Sequence, residues 1–424
     1  MRTGGARRRW EGVAASLALI AGLGTGCGLG SDPADEVTGQ HAQELSTEIG
    51  KALRARVRAI KRGNESAFVA GLVDDPSLRR AERLYFANLQ DLPLATFGYR
   101  LDNTSIGAEE VDEFGTRGIP VELTLLIQLA GYDERPVRVP ARFVFRREAD
   151  GVLRLAATHD PDWEAEHGVN PQPWDSERIE VVPGDDVLGI FDTESAGDGA
   201  RIVEDVEDAV AAVRPELPVP WSTGVVVYGL SGTDFLSGLA DLPGGEPDRL
   251  DGVAFPVPVS PGSETYVGTR FLLHPRMVSR HDDARRRLIR HELVHVALGR
   301  LDDRVPTWLS EGIAEYVAAR PIAPQDRLIS RDAVDAAAHG LDALPADPEF
   351  NGIESSANYG VAWFACEYIA DTYGEPTLWR LFDAMRAGDG THSSDQDEVI
   401  RRVLGIGEIE LARATGTRIT SIFG

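Results

Sequence analysis

His291 and His295 are four positions apart, and Glu292 directly follows the first of them. Residues four apart lie on one face of an α-helix, so both imidazoles can reach a common metal ion at roughly 2.0–2.1 Å. Glu292 is rotated by about 100° around the same helix, where its carboxylate reaches a metal-bound water rather than the metal. The spacing therefore predicts a metal site with an acidic group placed to move a proton.

Two predicted helices position these residues. Asp282 is a candidate N-cap before the histidines, and Gly299 is a natural stop after them. Pro306 then opens a second helical pattern, in which Glu311 and Glu315 are four residues apart and share a face. The alternative interpretation is a pair of buried helices with hydrogen-bonded histidines and solvated glutamates.

The second helix carries a resemblance to a known family. Residues 306–316 read P-T-W-L-S-E-G-I-A-E-Y. This stretch is similar to the W-L-x-E-G-x-A-x-Y signature of the gluzincin peptidases, the thermolysin-like and aminopeptidase-like clan with an HExxH motif. The resemblance extends over residues 178–424 and is specific mainly over 284–320. Fifteen residues separate His295 from Glu311, which is shorter than the aminopeptidase spacing and predicts a tight connection.

The resemblance implies a role for each motif residue. It implies that His291, His295 and Glu311 bind one zinc ion and that Glu292 is the general base. It also implies that Glu315 orients a ligand histidine through its other ring nitrogen. The alternative for Glu315 is an ordinary solvent-facing helix residue.

A further group is expected to face the carbonyl oxygen on which negative charge develops. The clan uses a Tyr or His from a later helix, and the resemblance points to Tyr359, at the head of a helical run. Tyr368 and Tyr373 are competitors. The alternative for all three is a place in the core.

These residues together favour zinc-dependent hydrolysis of peptide bonds outside the cytoplasm, with one Zn²⁺ per chain. The expected partner is a peptide or protein substrate. Two alternatives stay open. One is a non-catalytic binding lipoprotein with a vestigial peptidase fold, and the other is a zinc amidase that acts on cell-wall material.

The N-terminus predicts export. Four arginines precede an apolar run of small residues over 12–24, which is too short to span a bilayer as a helix. The run ends in G-T-G-C-G, which resembles a bacterial lipobox with Cys27 as the acylated residue. We expect a lipoprotein anchored at the outer face of the bacterial cell membrane. The alternative is an ordinary cleaved signal peptide and a secreted soluble protein.

Composition limits the remaining possibilities. The net charge of −25 argues against nucleic-acid binding. The chain contains two cysteines, so acylation of Cys27 would leave no intrachain disulfide. Cys366 lies in an apolar helical run and is expected to be a small buried hydrophobe. No pattern in the sequence indicates an oligomeric state.

The pattern of elements predicts an α+β fold. N-terminal helices and a curled, cone-like antiparallel sheet precede a domain with a small mixed sheet and a mainly helical C-terminal half. The predicted parts are a signal peptide (1–27), a tether (28–36), a first domain (37–165), a Pro-rich linker (166–177) and a metallopeptidase domain (178–424). The first domain resembles the cystatin-like cone of nuclear transport factor 2, for which a ligand-binding role or a spacer role is expected.

Three details of the second domain are also predicted. A predicted strand over Tyr266–Leu273 precedes the zinc helix, and the resemblance to gluzincins implies that it is the edge strand that pairs with an extended substrate. Residues 229–265 are expected to form a lid or an insertion, and residues 359–387 a helical pattern. The Arg285-Arg286-Arg287 run is interpreted as a solvated face.

Overall fold

The computed structural model describes residues 33–106, 110–111, 117–219, 221, 224–239, 247, 250–388 and 393–424. The chain divides into a unit of residues 1–45 and a compact unit of residues 46–424. The structure describes the first unit only from Pro33, where helix α1 (Pro33–Lys61) begins. The predicted signal peptide, Cys27 and most of the tether lie outside the described residues, whereas residues 33–36 belong to α1. Within the described ranges, no helix combines the length and apolar character that a membrane span requires.

The N-terminal half of the compact unit contains helices followed by an antiparallel sheet, as predicted. Asp75 caps helix α3 by accepting hydrogen bonds from the backbone N–H groups of Ser77 and Leu78. The strands are curled and follow the order β1-β3-β4-β5, with β2 beside β3. The elements are α2 (Glu65–Val69), α3 (Pro76–Asp91), β1 (Leu94–Ile106), β2 (Glu110–Val111), β3 (Arg117–Leu129), β4 (Val137–Arg147) and β5 (Leu153–Ala157).

The second sheet is mixed, with the order β6-β7-β8-β10-β9. Its three central strands are parallel, and each edge strand is antiparallel to its neighbour. The elements are α4 (Pro161–Glu166), α5 (Pro173–Ser176), β6 (Ile179–Pro183), β7 (Val187–Asp192), α6 (Ala196–Val213), β8 (Val225–Gly229), α7 (Asp234–Ser237), β9 (Gly252–Pro258) and β10 (Tyr266–Leu273).

The rest of the chain is helical, which confirms the α+β class and the helical C-terminal half. The predicted run over 359–387 consists of two helices, because Gly374 (φ 88°) ends the first, and the second begins at Glu375 with Pro376 in its first turn. The elements are α8 (Pro275–Val278), α9 (Asp283–Leu298), α10 (Thr307–Ala319), α11 (Arg331–His339), α12 (Ser355–Tyr373), α13 (Glu375–Ala387), α14 (Ser393–Leu404) and α15 (Glu408–Phe423).

Both faces of the mixed sheet are buried. In β7, Val187 and Phe191 point into a core formed with the C-terminal helices, while Leu188 and Ile190 point into a second core. That second core contains residues of α3, β1 and β3, and also Trp174. Trp174 belongs to the predicted linker, so part of this segment contributes to the core of the compact unit.

The prediction that the strand over Tyr266–Leu273 is the edge strand was wrong. Strand β10 lies between β8 and β9, and β9 is the edge strand. Strand β9 falls within residues 229–265, where a lid or an insertion was expected. Its prolines, Pro256 and Pro258, are typical of a loop, but an edge strand tolerates proline because one side of its backbone has no ladder partner. The alternating buried residues Val253, Phe255 and Val257 were the correct signal.

Gly312 allows helices α10 and α12 to approach closely. A Cβ atom at this position would lie 2.5 Å from the carbonyl oxygen of Ala362 and 2.7 Å from Sγ of Cys366. Cys366 is fully buried, as predicted. Because the nearest atom belongs to helix backbone, a side chain at 312 requires α10 to move, together with Glu311 beside it.

We expect Gly312→Ala to lower the free energy of unfolding by about 1–3 kcal/mol through overpacking. Urea unfolding of the metal-free protein measures the change. Gly197→Ala in α6 is the matched control, because no heavy atom lies within 4 Å of its added Cβ. Its effect should be neutral or slightly stabilising. Equal stabilities for the two variants would contradict the close helix contact.

Candidate metal centre

Helix α9 is held at a fixed rotation by its buried residues. Ile289, Leu293 and Val294 are fully buried, which places His291 and His295 on the face toward α10. Arg285 is 1% exposed and its Nε donates to Asp205 of α6 at 3.0 Å. The interpretation of the arginine run as a solvated face was therefore wrong for Arg285, whose ion pair fixes α9 against α6.

Helix α10 presents Glu311 to the two histidines. Its first backbone N–H, from Thr307, donates to Asp347 at 2.7 Å. Trp308, Leu309 and Ile313 are buried and hold the opposite side of the helix in the core. Glu311 therefore faces α9, and the predicted ligands come together.

The three candidate ligand atoms form a nearly equilateral triangle. Nε2 of His291 lies 3.2 Å from Nε2 of His295, and Oε2 of Glu311 lies 3.1 Å and 3.4 Å from these two nitrogens. Tetrahedral coordination with bonds of about 2.0–2.1 Å places ligand atoms about 3.3–3.4 Å apart. The triangle therefore has the dimensions of one face of a zinc coordination tetrahedron.

The chemistry of these atoms also fits a cation. Nδ1 of His295 lies 2.7 Å from Oδ2 of Asp302, and Nδ1 of His291 lies 3.2 Å from Oε1 of Glu315. An ionised carboxylate only accepts, so it favours a proton on the Nδ1 that faces it, and loss of the proton from Nε2 would leave a lone pair there for a metal. Oε2 of Glu311 is buried without a hydrogen-bond partner among the described residues. Three electron-rich atoms thus converge where a divalent ion would balance them.

The pKa values of the candidate ligands are shifted by the same close contacts between histidines and carboxylates. Burial lowers the pKa of His291, but contacts with Glu311 and Glu315 outweigh burial and bring it to about 9. For His295, Glu311 and Asp302 outweigh burial and raise the pKa well above its usual value. Burial raises the pKa of Glu311, yet the two histidines hold it well below its usual range. The site favours positive charge in its centre.

Glu292 is 4% exposed and lies between the ligand group and the edge strand. Its carboxylate accepts a hydrogen bond from the backbone N–H of Ala254 in β9. A Cβ atom at Gly252 would lie 3.1 Å from its Oε1, so the glycine leaves room for the carboxylate. Burial raises the pKa of Glu292, although the histidines oppose this. The group is a carboxylate poised to take up a proton.

A cleft of about 1010 Å³ opens beside these residues and is lined by His291, Glu292 and Tyr359, among others. The hydroxyl of Tyr359 contacts Oδ1 of Asn351 at 3.2 Å, and its ring centroid lies 6.1 Å from that of His291. Tyr368 and Tyr373, which contact each other, do not line this cleft. Of the three tyrosines considered, Tyr359 is the one beside the site.

Asp302 was missed by the sequence predictions, which named only Glu315 as a partner of a ligand histidine. It lies in the connection after α9, seven residues beyond His295. A carboxylate so soon after the second histidine was a usable signal, because metal-bound imidazoles usually donate their other N–H to one.

We expect Asp302→Asn and Glu315→Gln each to weaken Zn²⁺ binding by about 10–100-fold, because each ligand imidazole loses the carboxylate that orients it. Competition with a chromogenic chelator measures the dissociation constant. Asp303→Asn is the matched control, since Asp303 contacts Arg300 and not a histidine. Affinities equal to the wild type in both variants would show that the carboxylates do not support a metal.

Comparison with known proteins adds no assignment: no protein-family model matches the chain, and no curated protein matches it.

Proposed function

We propose that this chain is a zinc-dependent peptidase of gluzincin type that acts outside the cytoplasm. The observation that carries the proposal is the triangle of His291, His295 and Glu311, in which three potential ligand atoms converge at tetrahedral spacing. The third ligand on a second helix agrees with the sequence resemblance. One Zn²⁺ per chain is the implied cofactor, and it would supply a Lewis acid and a water of lowered pKa.

The residues around the triangle have complementary roles in this proposal. Glu292 takes a proton from the attacking water and returns it to the leaving nitrogen, for which its raised pKa is suited. Tyr359 donates its hydroxyl proton in a hydrogen bond to the carbonyl oxygen as negative charge develops there. Glu315 and Asp302 orient the two histidines.

Strand β9 is proposed to bind the substrate backbone. The carbonyl of Asp251 accepts a hydrogen bond from the backbone N–H of His274, so the alternation of an antiparallel pair turns the backbone groups of Gly252 and Ala254 toward the free edge. Since the N–H of Ala254 already donates to Glu292, the groups left for a substrate are those of Gly252 and the carbonyl of Ala254. An extended peptide added at this edge passes the carboxylate of Glu292. The wall of the cleft carries one exposed apolar side chain, Leu328, which suits a peptide side chain.

Export and lipid anchoring through Cys27 remain part of the proposal on the basis of residues 1–27 alone. The expected partners are therefore a peptide or protein substrate and a membrane reached through the anchor.

We expect the chain from residue 33 to bind about one zinc ion, and Glu292→Gln to keep the zinc while peptide cleavage falls by about 10²–10⁴-fold. Metal analysis and hydrolysis of a quenched-fluorescence peptide library measure both properties. Glu180→Gln, on an exposed position of β6, is the control. Zinc binding without peptide cleavage, but with cleavage of cell-wall amides, would favour the amidase. A wild-type chain that holds no zinc would overturn the proposal.

Tyr359→Phe is expected to lower kcat on the order of 10²-fold with little change in KM, because the lost hydrogen bond forms in the transition state. Steady-state kinetics on one cleaved peptide separate the two constants. Tyr368→Phe serves as the control, since that ring contacts Tyr373 instead. A kcat near that of the wild type in Tyr359→Phe would assign Tyr359 to structure alone.

A further inference from the structure

Three arginines line the cleft, and Arg290 differs from the other two. Arg280 forms an ion pair with Asp282 at 2.6 Å, and Arg287 forms one with Glu315. No carboxylate of the described residues lies within ion-pair distance of Arg290. Arg290 directly precedes His291 and is partly buried. Because it has no ion-pair partner among the described residues, it is an uncompensated cation beside the candidate ligands.

Only the Nε atom of the Arg290 side chain has a hydrogen-bond acceptor among the described residues. Its Nε donates to the carbonyl oxygen of Ala318 at 2.8 Å, in the last turn of α10, where backbone carbonyls lack helical partners. A guanidinium has five N–H donors. The other four, on the two terminal nitrogens, have no acceptor among the described residues, and these nitrogens are not sealed from solvent. They are free to bind a ligand in the cleft.

The surroundings favour an anion at this position. The neighbouring cation Arg287 is already paired with Glu315, which leaves the terminal nitrogens of Arg290 as the unpaired guanidinium donors at this part of the cleft wall among the described residues. Two of the acidic residues in the cleft wall already have partners, since Asp251 pairs with Arg276 and Asp283 with Arg286. They do not compete for Arg290.

We propose that Arg290 forms a subsite for a carboxylate of the substrate, either an Asp or Glu side chain or the free C-terminal carboxylate. This inference rests on the proposed peptidase function. A guanidinium fork binds a carboxylate through two parallel hydrogen bonds, which gives both strength and a fixed orientation. Among peptides of otherwise equal sequence, those with a carboxylate near the scissile bond are then the preferred substrates.

Paired peptides test the preference. The wild type is compared on peptides that differ by Glu or Gln at each position around the cleaved bond, and on peptides with a free acid or an amide at the C-terminus. The expected preference in kcat/KM is about 10–100-fold for the carboxylate member of one pair. The pair that responds distinguishes a side chain from the C-terminus.

Variants assign the preference to one residue. Arg290→Gln should abolish the preference, and Arg290→Glu should reverse it toward Lys at the responding position. Arg280→Gln is the matched control, because Arg280 lines the same cleft but is paired with Asp282, and it should keep the wild-type preference. Thermal unfolding of each variant establishes that it is folded. A preference that survives in folded Arg290→Gln overturns the proposal.

A binding measurement separates failure of the subsite from failure of the peptidase proposal. Fluorescence anisotropy of the same labelled peptide pairs is measured on Glu292→Gln in EDTA, where neither metal nor turnover is involved. Tighter binding of the carboxylate member, lost when Arg290→Gln is added, supports the subsite even if no peptide is cleaved. Equal binding of both members, or binding of neither, overturns it while leaving any measured cleavage intact.

Discussion

The convergence of three lone-pair-bearing atoms from two helices is the constraint on which the site depends. Nε2 of His291, Nε2 of His295 and Oε2 of Glu311 lie within 3.1–3.4 Å of one another, so a small shift of either helix would destroy the spacing. The rest of the fold must therefore hold α9 and α10 in place. Arg285 fixes α9 to α6, and Gly312 lets α10 lie directly against α12. Packing far from the site thus supplies the rigidity that a metal centre requires.

The mixed sheet connects this helix pair to the space where a substrate would bind. Strand β9 is at the edge of this sheet, and the backbone N–H of Ala254 donates to the carboxylate of Glu292. Glu292 is on the same helix as His291 and His295. One helix therefore joins the edge strand, the candidate base and the candidate ligands, so displacement of α9 would disturb all three together.

Local patterns predicted the parts of the site that local geometry determines. The spacing of His291 and His295 required only a helix, and the α+β class followed from element periodicity. Long-range contacts were not accessible in this way. The partner of Arg285 is Asp205, eighty residues earlier, so a run of three arginines gave no sign that one is buried. The prolines of β9 concealed a strand, because proline tolerance depends on the position of a strand in its sheet.

The short connection between α9 and α10 explains how both histidines obtain a carboxylate partner. Glu315, one turn beyond Glu311, reaches Nδ1 of His291 from α10 itself. Nδ1 of His295 is served instead by the connection between the two helices. Because only fifteen residues separate His295 from Glu311, the chain turns back at once and places Asp302 2.7 Å from this nitrogen. The tight turn is thus a structural part of the site, since it supplies the carboxylate that faces the second imidazole.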